Sequence, residues 1–394
     1  MKGSEPMKKA ILGAFLLMTT LAAAGLCEMD YTLVNPHIRY EKFEAAGQAE
    51  EAAQTDGAGI SLSDMAAAED VQQEQQAASD ADVWPKTFTI TLGGDTTLGS
   101  TDDLRKRDDC FENVAADKGY GWFFSGLQTL FATDDLTLIN FEGTLTEETS
   151  KKQKLYNFKG PAEYTDILTL GSVEAVNVAN NHTLDYGQQG KEDTVANLEA
   201  AGIVVSGGGQ LGIFEKNGVK VGMTGYCFPY KDGKKDISAD VKALREAGCQ
   251  IVIASFHWGS EYRDDFTGEQ RTIGRAAIKA GADIVVGTHP HIVQGIEAYQ
   301  ESYILYSLGN LVFGGNVDPD DRDAYLARVT FTVYEDHCDA PELTVVPIRL
   351  TALDKGTDYR PVVADEADSE RILKRILKLS SNMGEFVNGD LSMY

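Results

Sequence analysis

The sequence predicts an α/β fold with two β-sheets packed on one another, and three observations predict it. From Trp84 onward, short β-rich runs alternate with helix-like stretches, and each strand run closes on glycines and polar residues. The later part, from GVKVGMTGYCF to AYLARVTFTVYE, keeps strand character with fewer helices, which suits a second sheet laid on the first. The 394 residues allow two domains, or one large domain with appendages.

The elements follow in order. Lys8 and Lys9 precede an apolar run, Ile11 to Leu26, that ends in small residues at Ala22 to Ala24. Residues 1–27 therefore read as an export signal, or as a signal anchor where it stays uncut, and predict an extracytoplasmic chain, secreted or membrane-anchored at the cell surface. Cys27 follows Leu26, where a lipid-attachment signature wants a small residue, so lipidation is disfavoured. Residues 28–83 read as an acidic low-complexity linker: Glu41 to Asp82 holds 11 acids and one base, too little apolar surface to offset the entropy of ordering it. It is either a tether holding the folded part near the membrane or a dispensable segment.

The folded domain is expected over residues 84–350. Its strand runs are KTFTITLGGD, LTLINFEG, VEAVNVANNH, VKVGMTGYCF, QIVIASFHWG, ADIVVGTHPH and SYILYSLGN; GWFFSGLQTLFATDD and GKEDTVANLEAAG read as helical. Residues 351–394 form a C-terminal extension with a short amphipathic helix, its stripe being Ile372, Leu373, Ile376 and Leu377.

Composition excludes some functions. With 61 acidic against 35 basic residues the net charge is −26, which argues against a nucleic-acid partner and against docking on anionic lipid by charge. Cys110, Cys227, Cys249 and Cys338 are too few and too scattered for a disulfide framework and read as free thiols.

The chemistry collects at the strand ends, where open α/β sheets bind ligands. In order these carry Asp95 and Thr97, then Asn140 and Glu142, then Asn181, His182 and Asp185, then His257 and Glu261, then His289 and His291, with Asn310 after YSLGN. An isolated histidine is more often structural, but here imidazoles, amides and carboxylates all adjoin glycines and turn formers. Such a donor set suits Mn²⁺, Fe or Zn²⁺, and the lack of cysteine argues against a structural zinc site. An extended backbone over His289-Pro290-His291 would turn both imidazoles the same way, as a two-metal centre that clamps a phosphoryl group and activates water would use them.

At these residues the chain resembles the capsule-synthesis and poly-γ-glutamate biosynthesis CapA-like proteins, within the calcineurin-like metallophosphoesterase superfamily. The combination of GGD, NFEG, NNHTLDYG, FHWG, GTHPH and YSLGN carries the resemblance from about Lys86 to Leu350. It implies a four-layer α/β/β/α sandwich of metallophosphoesterase type. It also implies metal ligation by Asp95, Glu142, Asn181, His257, His289 and His291, with His257 and His289 on a second ion and His291 on the first. His182 would be the catalytic histidine. Thr97, Asn140, Asp185, Glu261 and Asn310 are supporting candidates. Two departures stand out: Thr97 falls where the superfamily has a histidine, and Glu142 where it has a bridging aspartate.

Two functional classes follow, with a binding module whose metal site is vestigial as a third. The resemblance implies an exported protein in the synthesis or export of an anionic surface polymer such as poly-γ-glutamate, working with membrane polymer-synthetase components. The alternative is a metal-dependent hydrolase of a phosphoester or an amide-linked polymer, with His182 as general acid. A −26 chain repels a polyanion, so Lys151, Lys152, Lys154, Arg263, Arg271 and Arg275 are candidates for local anion contacts, or else solubilising charges; divalent cations would also bridge like charges.

Overall fold

The computed structural model describes residues 38–40, 83–229 and 237–384. The signal read at 1–27 and nearly all of the linker read at 28–83 lie outside these residues. Among the described residues, no helix is long and apolar enough to cross a membrane, and Cys110, Cys249 and Cys338 form no disulfide.

The strands come first as β1 (Ile38–Tyr40), β2 (Lys86–Thr97), β3 (Leu136–Phe141), β4 (Thr144–Leu145), β5 (Lys159–Gly160), β6 (Ala175–Asn177) and β7 (Val204–Ser206). Next are β8 (Gly212–Lys216), β9 (Val219–Cys227), β10 (Ile251–His257), β11 (Ile284–Thr288), β12 (Ile296–Tyr299) and β13 (Ser302–Leu305). The last are β14 (Asn310–Phe313), β15 (Asp323–Val333), β16 (Glu342–Arg349) and β17 (Val362–Val363). Among the helices are α1 (Phe111–Lys118), α2 (Thr165–Leu170), α3 (Gly187–Ala200), α4 (Ile237–Glu246), α5 (Gly268–Lys279) and α6 (Glu366–Gly384).

A nine-stranded sheet runs β1-β16-β15-β2-β3-β6-β7, with β14 also on β2 and β17 on β16; a six-stranded sheet runs β12-β13-β11-β10-β9-β8. The central strands of each are parallel, so their carboxyl ends share a rim. Ile38–Tyr40, inside the stretch read as linker, pairs in parallel with Leu343–Val345 at the edge of the large sheet.

The period-2 alternation of the strands builds three hydrophobic layers. Leu136 and Leu138 of β3 face Met223, Ile251, Ile253, Ile284 and Val286 of the small sheet, forming one core between the sheets. Ile139, Phe141 and Val176 turn the other way onto Phe111, Ile167 and Leu198 of α1, α2 and α3. On the far side, Val252, Ala254 and Val285 meet Val241, Leu244 and Ala277 of α4 and α5. The result is an α/β/β/α sandwich of four layers.

Helix α6 follows the part expected to be the domain, and its Ile372, Leu373 and Ile376 belong to the core between the sheets. Its Ser380 hydroxyl accepts the backbone N–H of Ile296 on β12, at 2.8 Å. Tyr359 lies in the core under α1, its ring 5.3 Å from that of Phe111.

Candidate metal centre

The same alternation that fills the core places the polar side chains. On β10, Ile251 and Ile253 face the other sheet, so Ser255 and His257, in step with them, do too; on β3, Leu136 and Leu138 lead in the same way to Asn140. Register aligns the groups. Asn310, Asp95, Asn140 and Asn177 sit on one rung of the large sheet, and Cys227, His257 and Thr288 on one rung of the small sheet. A bulge between Leu92 and Asp95 re-aims the end of β2.

Asp95 and Glu142 lie at the centre, each 0% exposed. Asp95 accepts from Asn140 Nδ2 at 2.7 Å and from the backbone N–H of His289 at 2.9 Å. Its Oδ2 is 3.4 Å from His291 Nδ1, and its Oδ1 is 3.7 Å from His257 Nδ1. Glu142 Oε1 stands 3.7 Å from His257 Nε2 and 3.6 Å from His182 Nε2, too far for hydrogen bonds. Neither carboxylate oxygen of Glu142 has a hydrogen-bond partner among the described residues. A buried carboxylate left bare of donors and ringed by imidazoles fits a divalent cation, because burying such a charge uncompensated costs several kcal/mol.

The remaining residues hold these in place. Asn181 Oδ1 meets His257 Nε2 at 2.9 Å, and Thr288 Oγ1 meets His257 Nδ1 at 3.1 Å. Asn310 Oδ1 lies 2.9 Å from His291 Nδ1. Asp185 takes His182 Nδ1 at 2.8 Å and the backbone N–H of Phe158 at 2.7 Å, and pairs with Lys154. Two groups have ligand atoms within 4.8 Å of one another: Asp95, Glu142 and His291, all buried, and Glu261, His289 and His291, of which Glu261 is exposed. Thr97 is buried on β2, its hydroxyl without a partner among the described residues.

Every candidate read from the sequence is thus drawn to this rim, but one premise is corrected. The His289-Pro290-His291 stretch is not extended. His289 has φ 97° and His291 φ 60°, both in the left-handed region that favours glycine. The imidazoles converge because the turn bends both inward, a strain that functional sites commonly carry. Of the basic residues considered for anion contacts, Lys154 reaches the site, donating to Asn181 O at 3.1 Å. Arg275 is hydrogen-bonded to the buried Glu297 at 2.8 Å, and Lys151 is paired with Asp102. Sequence reasoning missed Asn177, whose Nδ2 donates to Asn140 Oδ1 at 2.8 Å; the signal was its place at the end of the AVN run, level with Asn140.

The electrostatics fit a cation. Burial works to raise Asp95, but the hydrogen bond and charge of His291, with His257 and the His289 N–H, hold it well below the usual carboxylate range. Burial and then the charge on Asp95 push Glu142 well up. Burial opposes a charge on His291, yet Glu142 and Asp95 outweigh it and take this imidazole to about 10. Burial pushes His257 and His289 down, helped by a neighbouring imidazole in each case. It lowers His182 as well, against the pull of Asp185. The lowered His257 and His289 are neutral imidazoles, the donors that a divalent transition metal takes, whereas His291 carries a proton that a bound cation would displace.

A four-layer sandwich with carboxylates from one sheet and imidazoles from the other, meeting at a common rim, defines an α/β protein with a candidate metal site. The chain matches the family described as bacterial capsule synthesis protein PGA_cap over residues 89–315, and it belongs to that family. It is 33% identical over 283 residues to the PGA biosynthesis protein CapA of Bacillus subtilis (strain 168), covering 64% of this chain and 74% of that one. It is 25% identical over 315 residues to the capsule biosynthesis protein CapA of Bacillus anthracis, covering 71% and 73%. Among solved structures, a phosphatase from Mycoplasma pneumoniae is similar at 16% identity and a TM-score of 0.40, over 67% of this chain and 95% of that one.

Proposed function

We propose that the chain is an exported protein acting in the synthesis or export of an anionic surface polymer of the poly-γ-glutamate type, through a divalent-cation centre at the joint rim of its two sheets. The observation that carries the cation is Glu142, buried with both oxygens unpartnered between Asp95 and the imidazoles of His257, His182 and His291. Family membership supports the polymer, as do the names of the Bacillus relatives. The apolar run Ile11 to Leu26 and the acidic stretch after it support placement outside the cytoplasm, near membrane-bound polymer-synthetase components. Manganese, iron and zinc all suit the oxygen and nitrogen donors. Such an ion, when bound, polarises an anionic oxygen and lowers the pKa of water.

The test is complementation. In a poly-γ-glutamate-producing Bacillus lacking its own CapA, the full chain restores surface polymer and Glu142→Gln does not; equal restoration by both removes the cation from the reading, and failure of the wild-type chain removes the polymer.

A second reading, hydrolysis of a phosphoester or an amide-linked polymer, is favoured by the placement of His182. Asp185 fixes its Nδ1 at 2.8 Å while its Nε2 faces Glu142 Oε1 at 3.6 Å, the posture of an imidazole that hands a proton to a leaving group. Turnover of p-nitrophenyl phosphate by the purified chain with Mn²⁺, lost in His182→Ala, would support it; equal rates for the two would remove it.

A further inference from the structure

Two facing turns of the small sheet carry left-handed backbone beside the candidate centre. His289 (φ 97°) and His291 (φ 60°) lie in one, and Gly259 (φ 83°) and Tyr262 (φ 56°) in the other. Outside glycine, such backbone persists only where its surroundings over-determine it. Main-chain bonds join the turns, Trp258 N–H to Thr288 O at 3.1 Å and Tyr262 N–H to Pro290 O at 2.9 Å, but each pins a single point. Resting on the cation-centre reading above, we infer that Gln294, acting through Gln270, is a positioning residue that locks the two turns together and so aims His289 and His291 into the site.

Both glutamines are buried, at 0% and 1% exposed, in places that apolar side chains ordinarily fill. Their amides form a relay with one direction. Thr267 N–H donates to Gln270 Oε1 at 2.8 Å, Gln270 Nε2 to Gln294 Oε1 at 3.0 Å, and Gln294 Nε2 to Arg263 O at 2.7 Å. Turning either amide over would set oxygen against oxygen and N–H against N–H, so the bonds fix both orientations. Gln294 follows His291 on the turn it serves, its backbone N–H is tied to Ser307 O at 3.1 Å, and its side chain crosses to the facing turn. The far end of the relay is equally firm, because Gln270 shares a capping box with Thr267 at the start of α5. Gly259 packs so tightly on this amide that a Cβ there would stand 2.8 Å from Gln270 Oε1, so the pair also seals the second left-handed turn. A fully bonded buried amide pair rigidifies what it joins; two apolar side chains of like shape would cost the fold little and would leave the turns unlatched. Gln250 provides the contrast. It is buried at the opposite end of β10 from His257, where it accepts Lys220 N–H at 2.8 Å and donates to Glu335 O at 3.1 Å.

The experiment compares Gln294→Met, Gln270→Met and Gln250→Met in the full chain. It reads the imidazole rings by long-range proton–nitrogen NMR without metal, the visible absorption of bound Co²⁺, and Mn²⁺ affinity by calorimetry. Gln294→Met and Gln270→Met each move the ring resonances of His289 and His291, alter the Co²⁺ spectrum and weaken Mn²⁺ by about tenfold or more. The double variant weakens it no further than either single one, since one relay is then broken twice. Gln250→Met also lowers the melting temperature, yet leaves the rings, the Co²⁺ spectrum and the Mn²⁺ affinity at their wild-type values. Unmoved rings in Gln294→Met overturn the latch, and moved rings with unchanged Mn²⁺ affinity overturn its bearing on the cation. An equal loss of affinity in Gln250→Met overturns the assignment too, by making it a general effect of lost stability. So does a result in which neither Gln294→Met nor Gln270→Met folds while Gln250→Met does, because the pair then serves the fold at large. A wild-type chain that takes up neither ion removes the cation reading, and the movement of the two rings in the metal-free chain then decides the latch by itself.

Discussion

The two rims of the large sheet carry buried and half-buried carboxylates: at one rim each has at least one hydrogen-bond donor, and at the other Glu142 has none among the described residues. At the amino-terminal end, Glu174 accepts the backbone N–H of Thr137 at 2.8 Å, Asp135 accepts that of Thr89 at 2.9 Å, and Asp134 accepts the hydroxyl of Thr137 at 2.8 Å. At the carboxyl end Glu142 accepts from nothing among the described residues. Both ends belong to the same strands, so strand chemistry does not explain the contrast. The amino-terminal rim spends its carboxylates on tying loops to strand starts, whereas the carboxyl rim keeps one bare. An unpaired buried charge is costly, and a fold that has donors to spare elsewhere leaves this one for a ligand.

The largest effect expected from this contrast is on cation affinity. Asp95→Asn and Glu142→Gln each weaken Mn²⁺ binding by about a hundredfold or more, measured by calorimetry, whereas Glu174→Gln at the other rim leaves it within experimental error. A second measurement is metal removal. Chelation lowers the melting temperature by several degrees, since a ligand at a hundred times its Kd stabilises by about 2.7 kcal/mol. In Glu142→Gln the chelator has little to remove and the melting temperature scarcely moves.

The smallest effect lies at the amino-terminal rim. Burial pushes Asp134 up from 3.8 to about 6, opposed by Thr91 and Thr137. A carboxyl whose folded-state pKa is raised favours the folded chain while protonated. That contribution is complete below about pH 4 and is lost as the pH climbs through 6. Asp134→Asn therefore removes roughly 2 kcal/mol of the stability lost between pH 4 and 7, after allowance for solvent screening. Urea unfolding at pH 4 and pH 7 for both chains reads the difference, and an unchanged slope would assign the buried charge at this rim no cost.

Much of this arrangement was legible because polarity interrupts period. In QIVIASFH the inward residues run Ile251, Ile253, Ser255 and His257, so an imidazole ends a face that is otherwise core. Glu142 and Asn181 were legible for a related reason, each following directly on a strand end or its turn. The conformation of His289 and His291 was not. Positive φ at non-glycine residues leaves no mark in composition, and the alternation of an extended chain gave the right convergence from the wrong backbone. Lys154 was visible as a charge, but its contact with the His182–Asp185 pair depends on how residues 146–158 fold back, which no local propensity dictates. Ile38–Tyr40 at the sheet edge was hidden by the low-complexity composition that follows it. The apolar stripe of α6 was readable, while its destination was set by a gap that exists only once both sheets are formed.

That destination has a consequence for how the molecule is made. Strand β2, laid down early, pairs with β15, which is more than two hundred residues later, and the wedge of Ile372, Leu373 and Ile376 arrives later still. A nascent polypeptide consequently has no finished interior until residues 366–384 have emerged, and any product stopped short of Glu366 is left with a greasy seam along one side for proteases and aggregation to find.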